Sequence, residues 1–133
     1  MSHLALSTDA TLESIHRAFA PQRCDGGGWI VRLKESFLAA LRPTMLLDAA
    51  AVRSGFSQDF FLRLDQREDV ITIRVEPLTI VEHNEGVQRA VLGAAALVAS
   101  VATRVELAKY NLVPELREET EATLRNRLSG AAQ

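Results

Sequence analysis

The groups able to do chemistry in this 133-residue chain are few and scattered: three histidines, one cysteine and no obvious pairing among them. Cys24 is alone, so it can form no intrachain disulfide and no cysteine-based zinc site, and a reducing, cytoplasmic compartment is expected. Glu82, His83 and Glu85 cluster in sequence, yet a His-Glu zinc helix needs two histidines one turn apart, and no metal is expected there. Asp25-Gly26-Gly27-Gly28 must be a loop, because a glycine run opposes regular structure. Glycine-rich backbone ahead of a helix can cradle an anion. The Lys-Ser/Thr of a phosphate-binding loop is missing, however, and a plain connector is expected. His16 lies beside the apolar face of a first helix, where a boundary side chain is the ordinary reading, and His3 falls in a loose end. No Ser-His-Asp, Cys-His or paired-carboxylate spacing stands out. The expectation is therefore no catalytic residue, no cofactor and no metal, with an enzyme left open but unsupported by any spacing.

Composition bounds the class. Apolar residues make up 47% and charged residues 24%, which suits one folded domain over 1–133 with loose ends at 1–7 and 129–133. A formal charge of −2 argues against binding nucleic acid or anionic membrane through the whole surface. The opening MSHLALSTDA lacks a basic stretch followed by a long apolar run, so no signal peptide is read. The uncharged run Ala90 to Thr103 is too short for a bilayer, which takes about 20 residues.

These groups must be positioned by elements, and most of the pattern is helical. The longest predicted helix spans 84–111, capped by Asn84. Its stripe is Val87, Val91, Ala94, Val98, Val101, Val105, Ala108 and Leu112. Shorter helices are predicted at 9–20 with Asp9 as N-cap, at 29–41 on the spacing Trp29, Leu33, Phe37, Leu41, and at 45–54, ended by Gly55 in a left-handed conformation. A last helix, 114–128, starts at Pro114 and has a thin apolar face of Leu116, Thr120, Leu124 and Leu128, with Glu121 and Arg125 spaced to pair.

The segment 46–64, LLDAAAVRSGFSQDFFLRL, supports two readings. Ala51 provides the small residue at which two helices approach, Gly55 the turn, and Phe56, Phe61 and Leu64 the packing positions of a second helix. On these residues it resembles the helix-turn-helix of AraC-family transcription regulators. That resemblance implies DNA contacts from Arg53, Ser57, Gln58, Arg63 and Arg67, with Ser57, Gln58 and Asp59 heading the recognition helix. Alternation offers a rival. Phe60, Leu62 and Leu64 share one face of a strand, and Ile71, Ile73 and Val75 share one face of a second, which predicts a β-hairpin near 59–76. The strand reading is preferred, and Thr79 to Val81 is a possible third strand.

The expected fold is thus α+β: a mostly helical single domain with a small antiparallel sheet and a long central helix. The expected function is a non-catalytic protein-interaction or assembly protein, a homo-oligomer and most simply a dimer. It would associate through small and apolar positions of the long helix, Leu92, Gly93, Ala96, Leu97 and Ser100. The alternative is a DNA-binding regulator using 46–64.

Overall fold

The computed structural model describes residues 2–77 and 80–132, with side chains placed as far as Asn126. Strand accounts for 44% of the chain and helix for 30%, which overturns the mostly helical expectation. Seven strands form one antiparallel sheet, curled into a half-barrel, in the order β2-β3-β4-β5-β6-β1-β7. They are β1 (His3–Thr8), β2 (Gln22–Arg23), β3 (Ile30–Leu38), β4 (Thr44–Arg53), β5 (Phe56–Arg67), β6 (Val70–Val75) and β7 (Val105–Asn111). Three helices complete it: α1 (Leu12–Ala18), α2 (Glu85–Val101) and α3 (Arg117–Ala132), the last preceded by a 3₁₀ turn at Pro114–Leu116.

The core lies between the sheet and α2. Alternate residues of the central strands reach it: Met45, Leu47, Ala49 and Ala51 from β4, Phe60, Leu62 and Leu64 from β5, and Ile71, Ile73 and Val75 from β6. Val87, Val91, Ala94 and Val98 of α2 meet them from above. This period of two against a period of three to four is what lets a helix cover a sheet.

The predicted hairpin near 59–76 is present and longer. β5 begins at Phe56, Glu68 takes a positive φ of 56° in the turn, and Leu64 pairs with Ile73. The segment 46–64 is accordingly two strands, with no helix-turn-helix. Ser54-Gly55 turns β4 into β5, and the positive φ expected at Gly55 (79°) serves that turn rather than a helix end.

Other expectations need correction. Residues 29–41 and 45–54 are strands, not helices, because they pair with each other along eight registered positions from Ile30↔Val52 to Leu38↔Met45. The supposed loose end 1–7 contains β1, hydrogen-bonded between β6 and β7 near the far edge of the sheet. The first helix is shorter than 9–20, and Thr11 caps it through a reciprocal pair with Ser14. Asp9 instead accepts from the Thr103 hydroxyl and from the Thr103 and Arg104 N–H groups, which fastens the end of β1 to the turn before β7. These bonds, the Thr103 hydroxyl first, hold its carboxyl below the usual carboxylate range.

The long helix keeps its cap, since Asn84 Oδ1 accepts from the Val87 N–H at 3.1 Å, but it stops at Val101 rather than 111. The last helix folds back on α2 with Leu116, Thr120 and Leu124 buried; its ion pair is Arg117–Glu121 at 3.1 Å rather than Glu121–Arg125. Leu128 and the tail 129–133 expected to fray lie where side chains are not described, and the proposed strand at 79–81 falls partly outside the described residues.

Candidate functional site

Two places bring functional groups together. The first lies where α2 passes the β2–β3 loop. Arg89 of α2, mostly buried, donates to Glu85 at 3.2 Å and to Glu119 of α3 at 3.1 Å. The glycine loop folds around this cluster. A Cβ on Gly26 would lie 2.1 Å from the Arg89 guanidinium and one on Gly27 2.1 Å from the Glu85 carboxylate, so a side chain at either place would push the ion pair aside, and at Gly27 the positive φ of 59° disfavours one as well. The loop leads into a strand rather than a helix, and Gly26 and Trp29 exchange backbone hydrogen bonds with each other.

Beside this cluster, Cys24, Arg89, Leu92, Gly93, Ala96 and Glu119 border a cleft of about 170 Å³. Small-molecule sites typically enclose about 300–1,000 Å³, so this cleft has little room for a cofactor. Burial, followed by the Asp25 carboxylate, pushes the Cys24 thiol up to about 12, against a smaller opposing effect of Arg89. A thiol held protonated is a poor nucleophile. Alkylation of the native protein at pH 8 is expected to run at least ~100-fold slower than that of the urea-unfolded chain. Equal rates would mean that the thiol is open. The sign for stability follows: a raised folded pKa favours the fold below the ordinary value of 9.0, and that contribution is lost as pH climbs from there toward about 12.

The residues expected to join copies of the chain are the ones this cleft accounts for. Leu92, Gly93, Ala96 and Leu97 are buried within the chain, under α1, the β2 segment and α3, and only Ser100 is exposed, its hydroxyl turned back onto the Leu97 carbonyl. The small residues do admit a close neighbour, but it is Cys24, just after β2: a Cβ on Gly93 would stand 2.5 Å from Cys24 Sγ.

The second place is the convex face of the sheet, opposite the side packed by α2. Strand register lines up Phe37, Leu46, Arg63, Arg74 and His3 in one row across β3, β4, β5, β6 and β1. Phe61 stands next to this row with its ring edge toward Phe37, centroids 6.5 Å apart, while the exposed Ile30 and Val52 form a separate pair beyond the Arg32, Asp59 and Asp48 charges. Charges around it are paired: Lys34 with Asp59 (2.8 Å) and Asp48 (3.5 Å), Arg63 with Asp65 (3.0 Å) and Glu76 (3.6 Å). Such half-exposed pairs add little stability, about 0–1 kcal/mol each, but they leave the face close to neutral.

Of the residues considered for DNA contact, Ser57, Arg63 and Arg67 fall on the convex side, while Arg53 and Gln58 alternate to the other. Arg53 lies 5.7 Å from the Trp29 ring centroid, and Gln58 exchanges two hydrogen bonds with the Glu82 backbone. They do not converge. Among the described residues no three His, Cys, Asp or Glu side chains gather to hold a metal, Glu82, His83 and Glu85 included. No helix is long and apolar enough to cross a membrane. The apolar convex face could not be read in advance, because it requires the strand assignments of 29–41 and 45–54. No protein-family model, curated protein or solved structure matches this chain.

Proposed function

We propose that this is a non-catalytic protein-interaction or assembly protein that engages its partner through the convex face of the sheet. One observation carries the reading: the face opposite α2 presents Phe37, Leu46 and Phe61 together, with Phe37 45% and Phe61 36% exposed. A contiguous apolar patch rimmed by polar groups is the usual mark of a protein-binding surface. Charge balance supports a protein rather than a polyanion, since Lys34 and Arg63 are each matched by carboxylates on the same face. Aromatic anchors also suit a hot spot.

A photo-crosslinking residue placed at position 61 and expressed in the source cells is expected to give a discrete adduct with one protein. The same residue at Glu13, an exposed position of α1, serves as the comparison. The expected result is an adduct at position 61 that vanishes when Leu46→Arg is added. Equal labelling at both positions would overturn the proposal.

A further inference from the structure

The apolar patch runs to one edge of the sheet, and that edge is open. β2 covers only the first part of β3, through Gln22↔Leu33 and Arg23↔Arg32. Lys34 then makes a bulge in the pairing with β4, after which the register resumes as Glu35↔Asp48 and Phe37↔Leu46. The Ala39 N–H donates to the Thr44 carbonyl at 3.0 Å, so Ala39 points toward β4. In an antiparallel ladder this orientation alternates along the strand. Ser36 and Leu38 therefore aim their N–H and C=O groups outward, past the end of β2.

An unpaired edge with exposed apolar side chains is a template for another strand. Here Phe37 and Leu38, on opposite faces of the strand, and Leu41 just beyond it are all exposed, Leu41 at 97%. Proteins guard such edges with lysine, proline or a bulge. Lys34 and its bulge guard the beginning of this one; from Ser36 to Leu38 the Ser36 hydroxyl meets His16 Nδ1 of α1 at 2.7 Å, but among the described residues no backbone group pairs with the outward edge.

Resting on the interaction reading above, we propose that the partner at this edge is a second copy of the chain, paired antiparallel through β3 about a two-fold axis at Phe37. Ser36 and Leu38 of each copy then exchange hydrogen bonds with Leu38 and Ser36 of the other. Phe37 meets its own counterpart at the close, non-hydrogen-bonded position, where cross-strand aromatic pairs interact best. Glu35 faces Ala39 of the second copy, so no like charges meet across the axis. An isologous dimer requires that sort of self-matching surface, and here it brings the exposed Phe37 ring against its own copy with Glu35 set opposite an alanine. The two sheets become one continuous sheet, and the convex apolar faces adjoin. A contact this short lies at the small end of specific interfaces, below about 1,200 Å², so association is weak and concentration-dependent.

The test is sedimentation equilibrium of the full chain from about 1 to 200 μM, a range that brackets a dimer of micromolar affinity. The wild type is expected to approach twice its 14.6 kDa mass, and hydrogen exchange at the Ser36 and Leu38 amides to slow as concentration rises. Leu38→Pro removes an N–H that has no partner among the described residues of the monomer, and Phe37→Lys places charge on the axis. Each is expected to raise the dimer dissociation constant at least ~10-fold with an unchanged circular dichroism spectrum. A wild type that stays monomeric, a dimer that persists in both variants, or exchange at Ser36 and Leu38 that ignores concentration would each overturn the proposal. If Leu38→Pro unfolds, Phe37→Lys decides alone. A monomeric wild type that still gives a discrete adduct at position 61 would remove the dimer and leave the interaction reading standing; the loss of that adduct with the dimer intact would do the reverse.

Discussion

Phe60→Ala is expected to destabilise the protein by about 3–5 kcal/mol, whereas Phe61→Ala, one residue on, is expected to cost no more than about 1 kcal/mol. The first ring is 1% exposed in the core under α2, and the second stands 36% exposed on the convex face. Domains of this size are stable by only about 5–15 kcal/mol, so the loss at Phe60 should be plain in urea unfolding as a lower midpoint at an unchanged slope. The order of the two effects tests the strand itself. A recognition helix would bury Phe61 and leave its neighbour less important, so a larger loss at Phe61 would reinstate the helical register. Under the proposed function, Phe61→Ala should fold normally and bind its partner poorly.

Gly86→Ala is expected to lower stability by about 1–3 kcal/mol, although glycine to alanine in an unhindered helix interior gains up to about 1 kcal/mol. The added Cβ would lie 2.6 Å from the Trp29 indole and 2.9 Å from Ala51 Cβ. Neither neighbour yields easily. Ala51 is fixed by the β4 backbone, and Trp29 is held edge-on to Phe56, with ring centroids 6.0 Å apart. Its indole N–H is buried without a hydrogen-bond partner among the described residues, so the ring sits where packing, not polarity, puts it. Thermal unfolding measures the sign directly, and a stabilised variant would show that α2 does not press on β4 as described.

The same contact explains why β4 was misread. Ala49, Ala50 and Ala51 are good helix formers, yet Ala49 and Ala51 are fully buried and small because α2 runs close above them. Helix propensity is a local property, and packing against a distant helix overrides it.

Bulges interrupt two other strands. In the region of β3 the spacing Trp29, Leu33, Phe37, Leu41 fits a helix as well as one strand face, and the bulge at Lys34 then sends Phe37 to the face opposite Leu33. In β7 the register slips between Ala5 and Leu6 of its partner, and Val105 and Ala108 consequently continue the stripe of α2. A bulge shifts the side chains beyond it by one position, which turns a period of two into something a helix can mimic. β1 is too short to announce itself. Leu4 and Leu6 are fully buried only because β6 and β7 flank them.

What the residues determined locally was the hairpin β5–β6, whose unbroken alternation needs no partner to be recognised, the Asn84 cap and body of α2, the turn at Gly55, and a last helix with a thin buried face at Leu116, Thr120 and Leu124. The tertiary structure alone decided that these belong to a seven-stranded sheet. It also decided that the small residues of α2 face this chain's own Cys24 and β4, and that Phe37 and Phe61 come together on an uncovered face. The physical reason is one of range. Caps, turns and alternation act over a few residues, while strand pairing and the fit of glycine against indole are set between segments far apart in sequence, where a single inserted residue changes which side chains meet.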